Sequence, residues 1–256
     1  FQAPEIAAMP KPISLQLYSL RDQAKQDFPK VLKLVADIGY AGVEFAGLHG
    51  MKAADVKKVL DDLGLKPSGA HMPVFNPEKA QDVVADAKAL GLGYVGGGFG
   101  PQDFETEDKI KAAAERVNAG CDNMAAAGLK VYYHNHWWEW EKPEKADLFF
   151  KLCPRVTIQL DIYWAQVAGQ DPAKIVRKYA DRLLLLHVKD GPCEKGKAHT
   201  AVGKGKVNTR AVIRAAEKTK YEWAIVELDS CDTDMVQAVR DSYSFLVGNK
   251  LASGRK

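Results

Sequence analysis

The chain has no run of about 18 apolar residues, so nothing in it reads as a membrane-spanning helix. It has no CxxC pair either. Its four cysteines, Cys121, Cys153, Cys193 and Cys231, stand 32, 40 and 38 residues apart, which excludes a zinc ribbon or a thioredoxin-type redox motif. Whether those thiols are reduced or partly paired stays open at this level. Charge of one sign is also scarce: 36 Lys and Arg are spread among 33 Asp and Glu, a net of +3. A nucleic-acid binder would concentrate its basic residues on one face. No linker or low-complexity break divides the 256 residues, of which 46% are apolar and 27% charged. That is enough for one large core, and the length is common for a (β/α)8 barrel. No initiator Met is present: the chain opens Phe1-Gln2-Ala3-Pro4. A Pro-containing lead before the first strand favours export to the periplasm after signal removal, with a cytoplasmic location as the alternative.

What is present concentrates in Lys130 to Glu141, KVYYHNHWWEWE. Val131, Tyr132 and Tyr133 read as a strand. His134, Asn135 and His136 follow, then Trp137, Trp138 and Glu139. Apolar walls around a few convergent polar groups are the composition of a ligand site.

The rest of the chain alternates strand and helix patterns. Strands are expected at Ile13–Tyr18, Gly42–Phe45, Lys66–His71, Gly93–Gly97, Leu129–His134, Val156–Asp161, Leu183–His187 and Trp223–Glu227. Between them, apolar residues recur at helical spacing, with Gly39, Gly64, Gly91 and Gly128 as stops. The long helix is expected over Glu105–Ala127 and the closing one over Met235–Val247. Near-continuous apolar strands suit a parallel sheet covered on both faces. Eight even repeats favour a single closed (β/α)8 TIM barrel over an open doubly wound sheet. It would run from 13 to 248, between an extended lead (1–12) and a C-terminal tail (249–256). Gly96 to Gly100 (GGFG preceded by another glycine) lacks the Lys-Ser/Thr and immediate helix of a phosphate loop, so it reads as close backbone approach or a mobile rim.

Polar residues fall at the strand ends: Glu44, His71, His134, Asp161, His187 and Glu227. In a barrel these ends share one mouth, where such enzymes keep their chemistry. His134, Asp161, His187 and Glu227 make a two-imidazole, two-carboxylate set. It suits one divalent ion, Mn²⁺ first, with Zn²⁺, Fe²⁺ or Co²⁺ possible. Glu139 could replace His134 if the strand ends later.

The motifs LQLYSLRD (Leu15 to Asp22), GYAGVEF (Gly39 to Phe45), YHNHWWEW, LDIYWAQVAGQDP (Leu160 to Pro172), HVKDG (His187 to Gly191), AVGKGKVN (Ala201 to Asn208) and VELD (Val226 to Asp229) cover nearly the whole chain. In that order they resemble the sugar phosphate isomerase/epimerase family, with its xylose isomerase-like TIM barrels. The resemblance implies one metal, commonly Mn²⁺, held from the last four strands, and Asp161, His187 and Glu227 match the family's ligand positions. The first position is often Glu in the ketose epimerase branch and is His134 here. In that branch the two glutamates also act as the paired acid and base, so half of the pair is missing or supplied differently.

The expected chemistry is isomerisation or epimerisation of a sugar or keto-sugar through an enediolate, with the metal as Lewis acid. Glu227 is the expected base, and His136, Glu139 and Lys189 are candidates for the second proton transfer. Lys189 could instead be held by Asp190. Gln16, Glu44 and His71 would hold substrate, with Trp137, Trp138 and Trp164 against the sugar ring. Loss of a β-leaving group from a keto-glycoside or keto-inositol, a lyase or dehydratase reaction, is the close alternative. A three-metal endonuclease on the same barrel would need more ligands and a basic face. A non-catalytic sugar-binding barrel would keep the tryptophans without needing Glu227. Small-molecule substrate, no nucleic acid and no membrane are therefore expected, and the oligomeric state is left open.

Overall fold

The computed structural model describes residues 9–255. Strands and helices alternate: β1 (Ile13–Gln16), α1 (Arg21–Gln26), α2 (Phe28–Ile38), β2 (Gly42–Phe45), α3 (Ala53–Leu63), β3 (Lys66–Ala70), α4 (Ala80–Leu90), β4 (Tyr94–Gly97), α5 (Glu107–Ala125), β5 (Lys130–His134) and α6 (Pro143–Leu152). The second half adds β6 (Thr157–Asp161), α7 (Ile162–Val167), α8 (Pro172–Lys178), β7 (Leu183–Val188), α9 (Thr209–Ala216), β8 (Trp223–Val226) and α10 (Met235–Gly248). The eight strands are parallel, in the order β3-β2-β1-β8-β7-β6-β5-β4. The ends of that sheet meet through the bridge His71↔Gly96, where Met72 N–H donates to the Gly96 carbonyl at 2.9 Å. The sheet is thus a barrel with one narrow seam.

Local chemistry sets the element ends. Asp27, Thr106, Asp171, Asn208 and Asp234 each accept a backbone N–H from the first turn of the helix they precede, which satisfies donors a helix N-terminus leaves free. Asp161 does the same for α7 through Trp164 N–H. That helix, like α1, is absent from the expected pattern: six residues are too few to show periodicity. The first strand stops at Gln16, not Tyr18, because Leu17–Leu20 turns into a 3-10 segment.

The main core lies between the sheet and the helices. A second cluster, Tyr132, Leu184, Leu185 and Ile225, is buried separately from it. Alternation along the strands explains this: Tyr132, Leu185 and Ile225 stand two residues before His134, His187 and Glu227, so they form the layer beneath the mouth. The segment after α10 is no free tail. Leu251 and Ala252 are buried, and Ser253 N–H donates to Lys11 while its carbonyl accepts from Ile13 N–H, both at 2.9 Å. Residues 1–8 of the expected lead, and residue 256, lie outside the described residues.

Candidate active site

Beneath the mouth lies a polar layer built around Glu44. It accepts from Gln16 Nε2 at 2.8 Å, Tyr132 Oη at 2.7 Å and Gln159 Nε2 at 2.6 Å, and it meets His187 Nε2 at 2.5 Å. Burial alone would raise its pKa, but His71 and His187 outweigh that and bring it down to about 2. Gln16 and Glu44 are both fully buried, and neither lines the open cavity. Their expected role as substrate holders is corrected: they lie one layer down, and Glu44 orients His187.

Above that layer, His134, Asp161, His187 and Glu227 each present a ligand atom within 4.8 Å of the others. All four are buried. Burial, then the neighbouring His187, keeps the His134 pKa well below the ordinary histidine value, so this ring is neutral. His187 behaves oppositely: burial opposes its charge, but Glu44 and Glu227 on either side push it up to about 10. Its Nδ1 lies 3.0 Å from Glu227 Oε2, which also meets Lys189 Nζ, and that nitrogen has no aligned hydrogen bond. A buried imidazole nitrogen aimed at carboxylates, with no aligned hydrogen bond of its own, is what a divalent ion would satisfy. The outward hydrogen bond from His187 Nε2 to Glu44 is the usual support for a ligating imidazole. The donor set therefore fits one borderline divalent ion.

Lys189 Nζ reaches into the same cluster, 2.7 Å from Glu227, 3.2 Å from Asp161 and 2.9 Å from Asp229. Burial disfavours its charge, but Asp161 and Glu227 more than compensate and hold its pKa well above the ordinary value. Burial likewise opposes ionisation of Glu227, and Lys189 and His187 overcome it, so Glu227 stays a carboxylate. Lys189 is not held by Asp190. That carboxylate accepts instead from the N–H groups of Gly191, Gly203, Gly205 and Val207 at 2.8–3.0 Å, cinching the loop after β7.

The mouth opens into a cavity of 680 Å³ whose wall includes His71, His134, His136, Trp138, Lys189, Glu227 and Asp229. His136 stacks on Trp138, with ring centroids 4.3 Å apart, and burial keeps its pKa well below the ordinary value. Other expected participants stand elsewhere. Glu139 is fully buried, accepting from Tyr133 Oη at 2.7 Å and His136 N–H at 2.8 Å. It braces the turn after β5 and stands outside both the four-residue cluster and the cavity wall. Trp137 turns outward, with Lys195 Nζ 3.4 Å from its ring centre. Trp164 backs Lys189 and His199, its ring centre 5.5 Å from each.

The glycines of β4 and its loop serve close approach. A Cβ at Gly96 would collide with the Tyr132 ring, and one at Gly98 with the His134 carbonyl. They let β4 press against the ligand-bearing strand. Four residues here were not assigned from the sequence: Asp229, His199, Gln159 and Tyr132. Asp229 holds Lys189 and takes His199 Nδ1 as acceptor for its N–H at 3.1 Å. It stood in view two residues after Glu227 in the VELD motif. His199 comes from mid-loop, with nothing local to mark it. All four cysteines are unpaired thiols.

Eight parallel strands and a mouth carrying convergent histidines and carboxylates define a TIM barrel with a candidate active site at its C-terminal face. The chain belongs to the xylose isomerase-like TIM barrel family, matching it over residues 32–247. A sugar phosphate isomerase/epimerase from Parabacteroides distasonis ATCC 8503 is 26% identical, with 98% of each chain covered and a TM-score of 0.78. D-allulose 3-epimerase from Methylomonas sp., solved with D-allulose, is 17% identical, covering 94% of this chain and 98% of its own (TM-score 0.72). A probable 3-DHS dehydratase from Bacillus anthracis is 16% identical, covering 92% and 98% (TM-score 0.75). The last two share the fold. No curated protein matches the sequence.

Proposed function

We propose that the chain is a divalent-metal-dependent isomerase or epimerase of a sugar or keto-sugar. The observation that carries this reading is the convergence of His134, Asp161, His187 and Glu227, with His187 Nδ1 aimed at the carboxylates and without an aligned hydrogen bond. The likeness to a sugar phosphate isomerase/epimerase over the whole chain supports it. The four side chains would hold the ion, most suitably Mn²⁺. When bound, it supplies Lewis-acid polarisation of a carbonyl and its neighbouring hydroxyl.

The chain's own groups handle the proton. Glu227 is ionised and borders the cavity, so it takes the proton from the carbon beside the carbonyl. Lys189, paired with Asp161, Glu227 and Asp229, keeps Glu227 ionised beside the cavity. His136, neutral and in the cavity wall, is the group left for the second transfer. Trp138 and His71 flank the sugar.

The second reading, elimination of a β-leaving group, rests on one feature. The cavity wall sets Glu227 with His71, His134 and His136 and holds no second glutamate, so the two sides of the substrate meet unlike groups. One experiment separates the two. Mn²⁺-loaded protein is incubated in D₂O with ketohexoses, keto-glucosides and keto-inositols and followed by NMR. Deuterium beside the carbonyl in an intact sugar supports isomerase or epimerase. Loss of water or an aglycone moves the assignment to lyase. No exchange with any compound refutes both. Glu227→Gln should slow exchange by about 10²–10⁴-fold.

A further inference from the structure

A second cavity of 310 Å³ adjoins the first, and the two share His71, Met72 and Pro73. The loop after β2 divides between them. Ala46 faces the first cavity, while Phe45, Leu48 and Met51 wall the second. That loop is anchored: His49 takes a left-handed backbone (φ 50°) and packs its ring on Phe28 of α2, with centroids 4.8 Å apart. His71, at the junction, is held from the other side by Gln159 Oε1 at 2.7 Å. The second space is therefore a formed chamber beside the candidate active site.

Its chemistry differs from that of the first. Carbon and thioether surfaces dominate, from Phe45, Leu48, Met51, Met72 and Pro73, with Asp86 at the edge. Methionine side chains adapt to flat apolar groups, and a volume near 300 Å³ is at the small end of ligand pockets, enough for one ring. A phosphate would find no free Lys or Arg. Among the described residues Lys189 is the one Lys or Arg lining either cavity, and it is committed to Asp161, Glu227 and Asp229. Arg21 at the rim donates to the carbonyls of Tyr18 and Asp229 and lies over the Tyr18 ring.

We infer that the substrate is an uncharged sugar carrying an apolar ring, with the sugar in the first cavity and the ring past His71 in the second. This rests on the proposed sugar site and adds to it the substituent and the absence of phosphate. The ring makes its contacts with Leu48 and Met51, which take no part in the polar site.

The test uses Mn²⁺-loaded protein with methyl-¹³C methionine and a panel of methyl and phenyl glycosides of glucose, galactose and xylose, with glucose 6-phosphate alongside. The expected result is that phenyl glycosides bind about tenfold tighter than their methyl counterparts, about 1.4 kcal/mol, and shift the Met51 methyl signal, which the methyl glycosides leave in place. Leu48→Asn should erase the phenyl preference and leave methyl glycoside affinity unchanged. Equal affinities with Met51 unmoved would overturn the ring subsite alone, since the sugars still bind. Tighter binding of glucose 6-phosphate than of methyl glucoside would overturn the uncharged substrate. Failure of every sugar to bind would overturn the sugar site itself.

Discussion

Glu139→Gln tests whether a carboxyl expected to do chemistry is instead a buried brace. Burial, only partly offset by hydrogen bonds from Tyr133 and His136, raises the Glu139 pKa from 4.5 to about 8. Between those values the folded protein keeps a proton that the unfolded chain has released. Unfolding free energy must then fall as pH rises through that window. Each pKa unit is worth about 1.4 kcal/mol, which sets a ceiling of about 5 kcal/mol by pH 9. Glutamine has the same shape, can accept from His136 N–H and donate to Tyr133 Oη, and carries no charge to bury. The variant should match the wild type near pH 4.5 and become progressively more stable than it above that, by at least about 2 kcal/mol at pH 9. Urea titrations of both proteins at pH 5, 7 and 9 measure this, and taking the difference cancels other titrating groups. A stability difference that stays flat across pH would refute the raised pKa. Loss of Mn²⁺ binding in the variant would restore Glu139 as a ligand.

Glu44→Gln should weaken Mn²⁺ binding by about 10–100-fold by calorimetry, because it removes the charged partner of His187. Mn²⁺ binding to the wild type at pH 7.5 should release about one proton, that of His187 Nδ1, seen as a dependence of the binding heat on the ionisation enthalpy of the buffer. Asp190→Ala leaves four backbone N–H groups without their acceptor and should cost about 3 kcal/mol in denaturant unfolding, with faster proteolysis of the loop after β7. Phe149→Ala, which empties a space beside Tyr133, Phe104 and Phe150, should cost about 3–5 kcal/mol.

The barrel was legible because its strands are apolar runs and its longer helices carry a stripe. The candidate ligands were legible because His134, Asp161, His187 and Glu227 sit at the ends of four consecutive strands. Depth was harder to read. Glu44 stands one residue before the end of β2, but β2 and β3 slip register between Val43 and Glu44, and its side chain serves the layer below. A register slip has no local sequence marker. Glu139 and Trp137 lie in a turn, where period-two alternation no longer says which way a side chain faces. His199 is brought to Asp229 by a loop that Asp190 folds, a contact made by tertiary structure alone.

The seam between β3 and β4 gives the barrel a mechanical property. Elsewhere, opening the ring would break a ladder of several hydrogen bonds, but here a single bridge holds two rims together. One rim carries Met72 and Pro73, the other Gly97 to Gly100, and both border the large cavity. The molecule is in effect a split ring with its compliance at the ligand's doorway. Spreading the split would widen the mouth without breaking the ladders between the four strands that carry His134, Asp161, His187 and Glu227.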